Sequence, residues 1–383
     1  MKKIFLTKSK EETYFIKGRG IPKGCKYCLK GSKVVLFING ICQRPDLCSW
    51  YCPISEERRG KDVTYADEIE INTKEDLMQE INMIDAQGMS ITGGEPLSEL
   101  NFEKTIDFIK FTKLKKGKKF HIHLYTNGID FNEDKAEKLS ISGLDEIRFH
   151  PSKEDWSNIE KALNKAMKVG VEVPVIPEKE KLKELEQLIL YLDTIGVDFI
   201  NLNEFEFCFP NSQSLNERGF KLKKGSIASV VDSQEMGLAL IKNLGPQVSL
   251  KMHYCSIRSK DYYQLKNRYI RRAKKIKLPY EVINEEGLIM YGQIEGNPDE
   301  LDEFYKFLLN NLKIQAKLLS FKRNNIKLPF YISIEDQILK LIENYSLRGY
   351  IVEMTPFRLS KYQQITEKTP IKLFKKEYGL NGN

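Results

Sequence analysis

Between residues 34 and 207, short β-branched or aromatic runs alternate with longer charged segments of helical character. The runs are "VVLFIN" (34–39), "SIT" (90–92), "FHIHLYTN" (120–127), "EIRFH" (146–150), "VEVPVIP" (171–177) and "DFINLNEFEF" (198–207). Between them lie "TKEDLMQEINMIDAQG", "NFEKTIDFIKFTKLKKG", "DKAEKLSISG", "KEDWSNIEKALNKAMKVG" and "KEKLKELEQLILYLDTIG". Several of these stop at a glycine just ahead of the next run, where a helix is expected to end. Such alternation predicts parallel strands joined by crossover helices. Six units of this kind predict an α/β fold, a partial (β/α)6 barrel over 32–207, with ligand sites at the C-terminal ends of its strands.

The pattern then changes twice. Residues 208–277 read as a bridging region ending in the basic, tyrosine-laced stretch "KMHYCSIRSKDYYQLKNRYIRRAKKIKLPYE". From 278 onward "YEVINEEGLIMYGQIEG" reads as strands, "NPDELDEFYKFLLNNLK" as a helix, "KLPFYISI" as a strand, "EDQILKLIENYSLRG" as a helix and "YIVEMTPFRL" as a strand. That order predicts a C-terminal α+β domain of ferredoxin-like type over 278–383. Residues 1–31 form an N-terminal extension.

The 383 residues suffice for two or three domains, and a 41% hydrophobic content suits a globular core. No run approaches the roughly 18 apolar residues of a spanning helix, and "MKKIFLTKSKEETYF" is too briefly apolar for a secretory signal. A cytoplasmic protein with no membrane partner is therefore expected. Five of the seven cysteines precede residue 53, unlike the disulfide framework of a short secreted domain. In a reducing compartment such clustering points to metal or redox chemistry. The net charge of +8 admits an anionic partner, or equally a solvated lysine-rich surface.

"NGICQRPDLCSWYCPIS" (39–55) carries Cys42, Cys48 and Cys52. Three thiolates on one loop can hold three irons of a [4Fe–4S] cluster and leave the fourth open, whereas an electron-transfer cluster takes four. A zinc site closed by one further ligand is the alternative. "SITGGEPL" (90–97) places two glycines and a Glu-Pro directly after a strand, where a backbone without Cβ atoms lets a ligand approach.

Together these residues resemble the radical S-adenosylmethionine (radical SAM) enzymes. The resemblance implies that Cys42, Cys48 and Cys52 hold a [4Fe–4S] cluster whose open iron is chelated by SAM. It implies that Gly93, Gly94, Glu95 and Pro96 line the site of SAM's methionine amino group, and that Tyr51 lies near the adenine. "YTNG" (125–128) places Thr126 and Asn127 close to SAM by the same resemblance. The chemistry implied is reductive cleavage of SAM to a 5′-deoxyadenosyl radical, which takes hydrogen from an unactivated carbon, with a ferredoxin- or flavodoxin-type electron donor. The spacing departs from the superfamily's common Cys-x3-Cys-x2-Cys, being Cys-x5-Cys-x3-Cys here. The wider string is similar to a poorly characterised, mainly archaeal group related to pyruvate formate-lyase activating enzyme.

"IPKGCKYCLKG" presents Cys25 and Cys28, and "KMHYCSI" offers His253 and Cys255, a candidate second metal site for zinc or a second Fe–S cluster. Cys208 is a further ligand option, and buried apolar thiols are the alternative for Cys208 and Cys255. His150, two residues past Arg148, ends the fourth run and is expected to face SAM or substrate. Glu204 and Glu206 share one face of the sixth run, so Glu204 is a candidate contact to substrate or the SAM ribose. Arg58 and Arg59 follow the cysteine loop and read as contacts to an anion or as a solvated turn. His121 and His123 read as core or surface histidines.

In the basic stretch Arg258, Arg268, Arg271 and Arg272 are candidate RNA contacts, with tyrosines available to stack on bases. A surface helix whose tyrosines pack inward accounts for the same pattern. The expected function is radical SAM chemistry on RNA, namely tRNA modification. The alternatives are an activase that places a glycyl radical on a partner protein, and radical chemistry on a small molecule in cofactor or lipid biosynthesis.

Overall fold

The computed structural model describes residues 4–380, so the outermost three residues of the N-terminal extension and of the C-terminal domain lie outside the described residues. It divides into two compact units, Met1–Leu265 and Lys266–Asn383. That division falls at 265/266 rather than at the 277/278 boundary read from the sequence, because residues 266–277 pack with the second unit, Ala273 sharing a buried cluster with Tyr280, Ile289 and Val352, while the rest of the bridging region is built into the first.

In the first unit six strands run parallel, each paired to the next: β1 (Lys33–Phe37), β2 (Gly88–Thr92), β3 (His121–Thr126), β4 (Glu146–Phe149), β5 (Lys168–Val175) and β6 (Phe199–Glu204). These are the strands of the expected partial (β/α)6 barrel. A seventh, β7 (Lys251–Cys255), pairs parallel with β6 and comes from the stretch read as a bridge. Hairpins extend both edges of the sheet. Tyr14–Ile16 pairs antiparallel with β7, and Thr64–Ala66 with β1.

The crossover helices α2 (Lys74–Met83), α3 (Phe102–Lys116), α4 (Glu133–Ser142) and α5 (Lys179–Thr194) start and stop on local chemistry. Thr73 and Asp76 form a capping box on α2, and Asn132 caps α4, which stops at Gly143 with φ 94°. The fourth crossover is not the expected α-helix but 3-10 turns over Lys153–Ala162. There Ser152, Asp155 and Asn158 bond one another and the Gly128 carbonyl, and such local polar bonds compete with a helical ladder.

Alternate residues divide the barrel strands into two faces. Met89, Ile91, Ile122, Leu124, Ile147 and Phe149 enter the apolar core. The other face is a polar row, in which buried Ser90, His123 and Glu146 sit side by side across β2–β4, and half-buried Glu172 lies beside buried Asn201 and His253 across β5–β7. Arg148 is 2% exposed and bonds Glu146 and Glu172 at its ends. Helix α1 (Lys23–Leu29) packs on this row through Gly24, where a Cβ would fall 2.4 Å from His123 Nδ1 and 2.5 Å from Arg148 Nη2.

Helices α6 (Ser212–Glu217) and α7 (Ser233–Leu244) lie between β6 and β7, and α8 (Leu265–Ile276) opens the second unit. Beyond it β8 (Ile289–Glu295), α9 (Pro298–Asn310), β9 (Ser320–Lys322), β10 (Asn325–Leu328), α10 (Phe330–Ser333), α11 (Asp336–Asn344) and β11 (Arg348–Met354) follow in order. The strands lie antiparallel as β9–β10–β8–β11, the ferredoxin-like arrangement, with Ile365–Pro370 added as β12 on the outer edge of β11. "KLPFYISI" is not one strand as expected. Pro329 lacks an N–H for the ladder and presets φ for a helix, so Phe330–Ser333 turns helical.

Candidate active site

The C-terminal ends of β1–β6 surround a cavity of about 680 Å³. Cys42, Cys48 and Cys52 line it from the loop after β1, and Gly93, Gly94, Glu95 and Pro96 from the loop after β2. Thr126 and Asn127 enter from β3, His150 from the end of β4 and Glu204 from β6. Every residue placed near SAM by the sequence resemblance, Tyr51 included, meets at this one cavity.

The two glycines serve the protein itself. A Cβ on Gly94 would lie 2.2 Å from Ile41 O, and one on Gly93, at φ 154°, 2.7 Å from Asn39 O. The clearance is taken by the chain leading into the cysteine loop, and Gly94 N–H donates to Asn39 O at 2.7 Å and Glu95 N–H to Ile41 O at 2.9 Å. Glu95 is buried, and its carboxylate accepts from Thr126 Oγ1 at 2.7 Å, Asn127 N–H at 2.7 Å and Leu97 N–H at 2.9 Å. Burial pushes it up to about 7 against the pull of those donors.

On the cysteine loop, Cys52 is drawn down to about 6 by a hydrogen bond from Cys48 and by Arg59, while the same partnership pushes Cys48 up. Burial raises Cys42, whose sulfur lies 3.9 Å from Asn127 Nδ2. Arg59 donates to the carbonyls of Cys52 and Ile54, and Arg58 stacks 4.0 Å above the Tyr65 ring. Arg59 thus braces the end of the cysteine loop and Arg58 is held against the neighbouring hairpin, so neither belongs to a solvated turn. Tyr51 Oη donates to His150 Nε2 at 2.9 Å, because His150 Nδ1 is occupied 3.0 Å from the Glu172 carbonyl. Glu204 accepts from Ile257 N–H at 2.8 Å, and Glu206 pairs with Lys260 at 3.1 Å.

The candidate second metal site looks different. Among the described residues no group of three or more His, Cys, Asp or Glu side chains is drawn together around a single metal position, Cys42, Cys48 and Cys52 included, so the difference lies in the partners each thiol has. Cys25 takes hydrogen bonds from Asn201 Nδ2 at 3.3 Å and Arg148 Nη2 at 3.4 Å, and burial raises it and Cys28. Cys255 lies 3.8 Å from Gln264 Nε2 and is pushed up to about 12 by burial. His253 has Thr13 Oγ1 at Nε2 and Asn201 at Nδ1, so both ring nitrogens are committed. Cys208 is half-buried, in a turn closed by Asn211. His121 and His123 belong to the interior, as expected of core histidines.

The RNA-contact candidates separate. Arg272 is 4% exposed with its guanidinium 4.3 Å from the Phe357 ring, which removes it from any surface contact. Tyr269 also packs edge-on to Phe357, as an inward-facing helix requires. Arg258 pairs with Glu12 at 3.1 Å, and Arg268 and Arg271 are likewise engaged. Trp50, Glu172 and Phe205 line the cavity without having been singled out in the sequence. Glu172 was detectable as a lone carboxylate within the apolar run "VEVPVIP".

The donor set suits an Fe–S cluster: three soft thiols from one loop in one cavity. The radical SAM superfamily model matches residues 15–192. A protein of Methanocaldococcus jannaschii, provisionally named a glycyl-radical enzyme activating enzyme, is 37% identical over 350 residues, covering 88% of this chain and 90% of its own. Among solved structures, Streptococcus suis SuiB bound to its precursor peptide SuiA is 11% identical with a TM-score of 0.42, covering 58% of this chain and 48% of its own. Coproporphyrinogen III oxidase from Escherichia coli is 12% identical with a TM-score of 0.27, covering 72% of this chain and 83% of its own. This chain spans about half the length of SuiB. With a relative of that identity aligned along nearly its whole length, the chain belongs to the radical SAM superfamily, whose enzymes use a [4Fe–4S] cluster and SAM.

Proposed function

We propose that this enzyme is an activase, removing a hydrogen atom from a glycine of a partner protein. The observation that carries this reading is the alignment with the M. jannaschii protein, which is long enough to extend beyond the barrel into the second unit. In this reading Cys42, Cys48 and Cys52 hold the cluster and Gly93 to Pro96 receive the amino end of SAM. The bound group supplies one-electron reduction of SAM and a hydrogen-abstracting radical. A ferredoxin- or flavodoxin-type protein supplies the electron.

The remaining work falls to the chain's own residues. Glu95, fixed by three donors, presents a carboxylate at the cradle, and Asn127 stands between it and Cys42. Tyr51 and His150 hold each other at the cavity wall, and Glu204, fixed by Ile257 N–H, faces the same space. Trp156, Leu185 and Leu188 furnish an apolar wall that sheds water from a polypeptide segment. The tRNA reading loses Arg272 to burial and draws no support from the named relatives.

The test is anaerobic reconstitution followed by incubation with SAM, a reductant and a glycyl-radical enzyme encoded in the same genome. A carbon-centred EPR doublet on the partner, abolished by changing its glycine to alanine, is the expected result. Cleavage of SAM without a radical on the protein, accompanied by a tRNA nucleoside that changes only when this protein is present, would overturn it in favour of RNA. Loss of iron uptake in Cys42→Ala, Cys48→Ala and Cys52→Ala tests the ligand assignment separately.

A further inference from the structure

We propose that the segment from Phe205 to Phe220 clamps the cysteine loop in place, with Trp50, Asn211 and Arg218 as positioning residues. This rests on the reading that Cys42, Cys48 and Cys52 hold the cluster.

The loop has little support of its own. Between Cys42 and Cys52 its regular structure is one 3-10 turn, Pro45–Leu47, and its internal backbone bonds include Ser49 N–H to Pro45 O at 2.8 Å and Tyr51 N–H to Cys48 O at 3.0 Å. Its spacers are Cys-x5-Cys and Cys-x3-Cys, longer than the superfamily's common pattern. A longer loop gives up more conformational freedom when three thiols must converge. Such a loop needs anchoring from outside.

The anchors come from the chain just past β6. Trp50 sits in the lengthened second spacer, where its indole stacks on Phe220 with centroids 6.1 Å apart and planes at 12°. Phe205 meets the same indole edge-on at 5.9 Å, and the Arg218 guanidinium lies 4.3 Å from its ring. Asn211 then ties the backbone, donating from Nδ2 to the carbonyl of Tyr51 at 3.1 Å and to that of Glu206 at 3.1 Å, while its Oδ1 accepts from Cys208 N–H. Tyr51 joins Phe205 at 6.0 Å, so both residues between Ser49 and Cys52 are gripped. Beneath them Leu215, Val230 and Ile176 form a small buried cluster that makes the clamp rigid. The indole is thus held on one face, one edge and one cation, in the spacer residues that directly precede Cys52. Fixing that spacer fixes where the Cys48 and Cys52 thiols stand over the cavity.

The experiment compares the full chain, reconstituted anaerobically with iron and sulfide, with Trp50→Ala, Trp50→Phe, Asn211→Ala and Arg218→Ala. It reads iron per chain, the EPR spectrum of the reduced cluster before and after SAM, SAM affinity by equilibrium dialysis, and thermal melting. Trp50→Ala is expected to broaden the EPR signal and weaken SAM about tenfold, and Arg218→Ala to weaken it about threefold with an unchanged melt. Trp50→Phe, which keeps a ring in the stack, should recover most of the affinity. Arg218 is exposed, so its variant carries the test if Trp50→Ala does not fold. Folded Trp50→Ala and Arg218→Ala proteins with the parent's EPR signal and SAM affinity would overturn the clamp. A triple cysteine-to-alanine chain that still takes up the parent's iron would instead overturn the ligand reading beneath it.

Discussion

The two units divide the chain's chemistry unevenly. All seven cysteines, all four histidines and both tryptophans precede Leu265, and none follows it. The first unit buries a row of charges and imidazoles on the inner face of its sheet, including Lys33, Glu146, Arg148 and His253, with half-buried Glu172 beside them. The second is organised around an apolar cluster of Leu301, Phe304, Leu308, Ile326, Ile338 and Ile351, and its buried Glu281 is met by Arg358. An apolar core loses stability when volume is removed, whereas a buried ionic row loses it when charge balance is disturbed. The two units should therefore fail for different reasons.

The largest effects break that comparison most directly. Arg148→Ala leaves buried Glu146 and half-buried Glu172 without their shared cation, and is expected to cost the first unit about 3–5 kcal/mol. Phe304→Ala is expected to cost the second unit about 3–5 kcal/mol, as a large cavity does. Tryptophan fluorescence reports the first unit alone, through Trp50 and Trp156, while far-UV circular dichroism follows both. Urea titrations read by the two probes should show Arg148→Ala shifting the fluorescence transition and Phe304→Ala leaving it in place. A common shift by both variants would show that the units unfold as one.

The alternation of β-branched or aromatic runs with charged segments made the barrel legible, because parallel strands are joined by crossover helices whose outer faces are polar. Cys42, Gly93 and Glu95 were legible as a site because their order along an alternating chain places them at the ends of neighbouring strands. What escaped depended on residues far apart in sequence. "KMHYC" became β7 only because Tyr14–Ile16 and β6 flank it, and nothing within the stretch announces either neighbour. Cys25 and His253 have the residue types of metal ligands, yet Asn201 and Thr13 decide their environment. β12, "ITEKTP", is mostly exposed and polar, so it lacks the apolar run that reveals a strand.

Acid should sharpen the contrast. Burial holds His253 down at about 4, from an ordinary value near 6.5. The unfolded chain then binds a proton that the folded one refuses, so stability is complete above pH 6.5 and falls as pH drops from 6.5 towards 4. The loss from this residue is on the order of 3 kcal/mol. His121, held down at about 2 by burial, adds to it, and together they outweigh Glu95, which burial lifts to about 7 and which therefore works in the opposite direction over the same interval. The second unit has no histidine, so between pH 7 and pH 5 its transition should move less than the one reported by fluorescence. Equal movement of both transitions would remove the inner row as the cause.

The smallest effect tests whether that division extends to the barrel's outer layer. Thr73 lies on the surface, far in kind from the buried row, yet it starts α2 by accepting Asp76 N–H at 3.2 Å while Asp76 accepts Thr73 N–H at 2.9 Å. Thr73→Ala removes one half of this reciprocal pair and leaves an N-terminal donor to water, at a cost of about 1 kcal/mol, and Thr73→Ser should restore it. Because α2 buries Leu77 and Ile81 against the barrel, the loss should appear in the fluorescence transition although neither tryptophan lies on this helix. It should also be nearly independent of pH between 7 and 5. Asp76 is held below the usual carboxylate range by the backbone N–H bonds of Asn72 and Thr73, and so stays ionised throughout that interval. A Thr73→Ala penalty that grew on acidification would mean that the cap and the inner histidines are coupled through the sheet, and the outer layer could then no longer be treated apart from the ionic row.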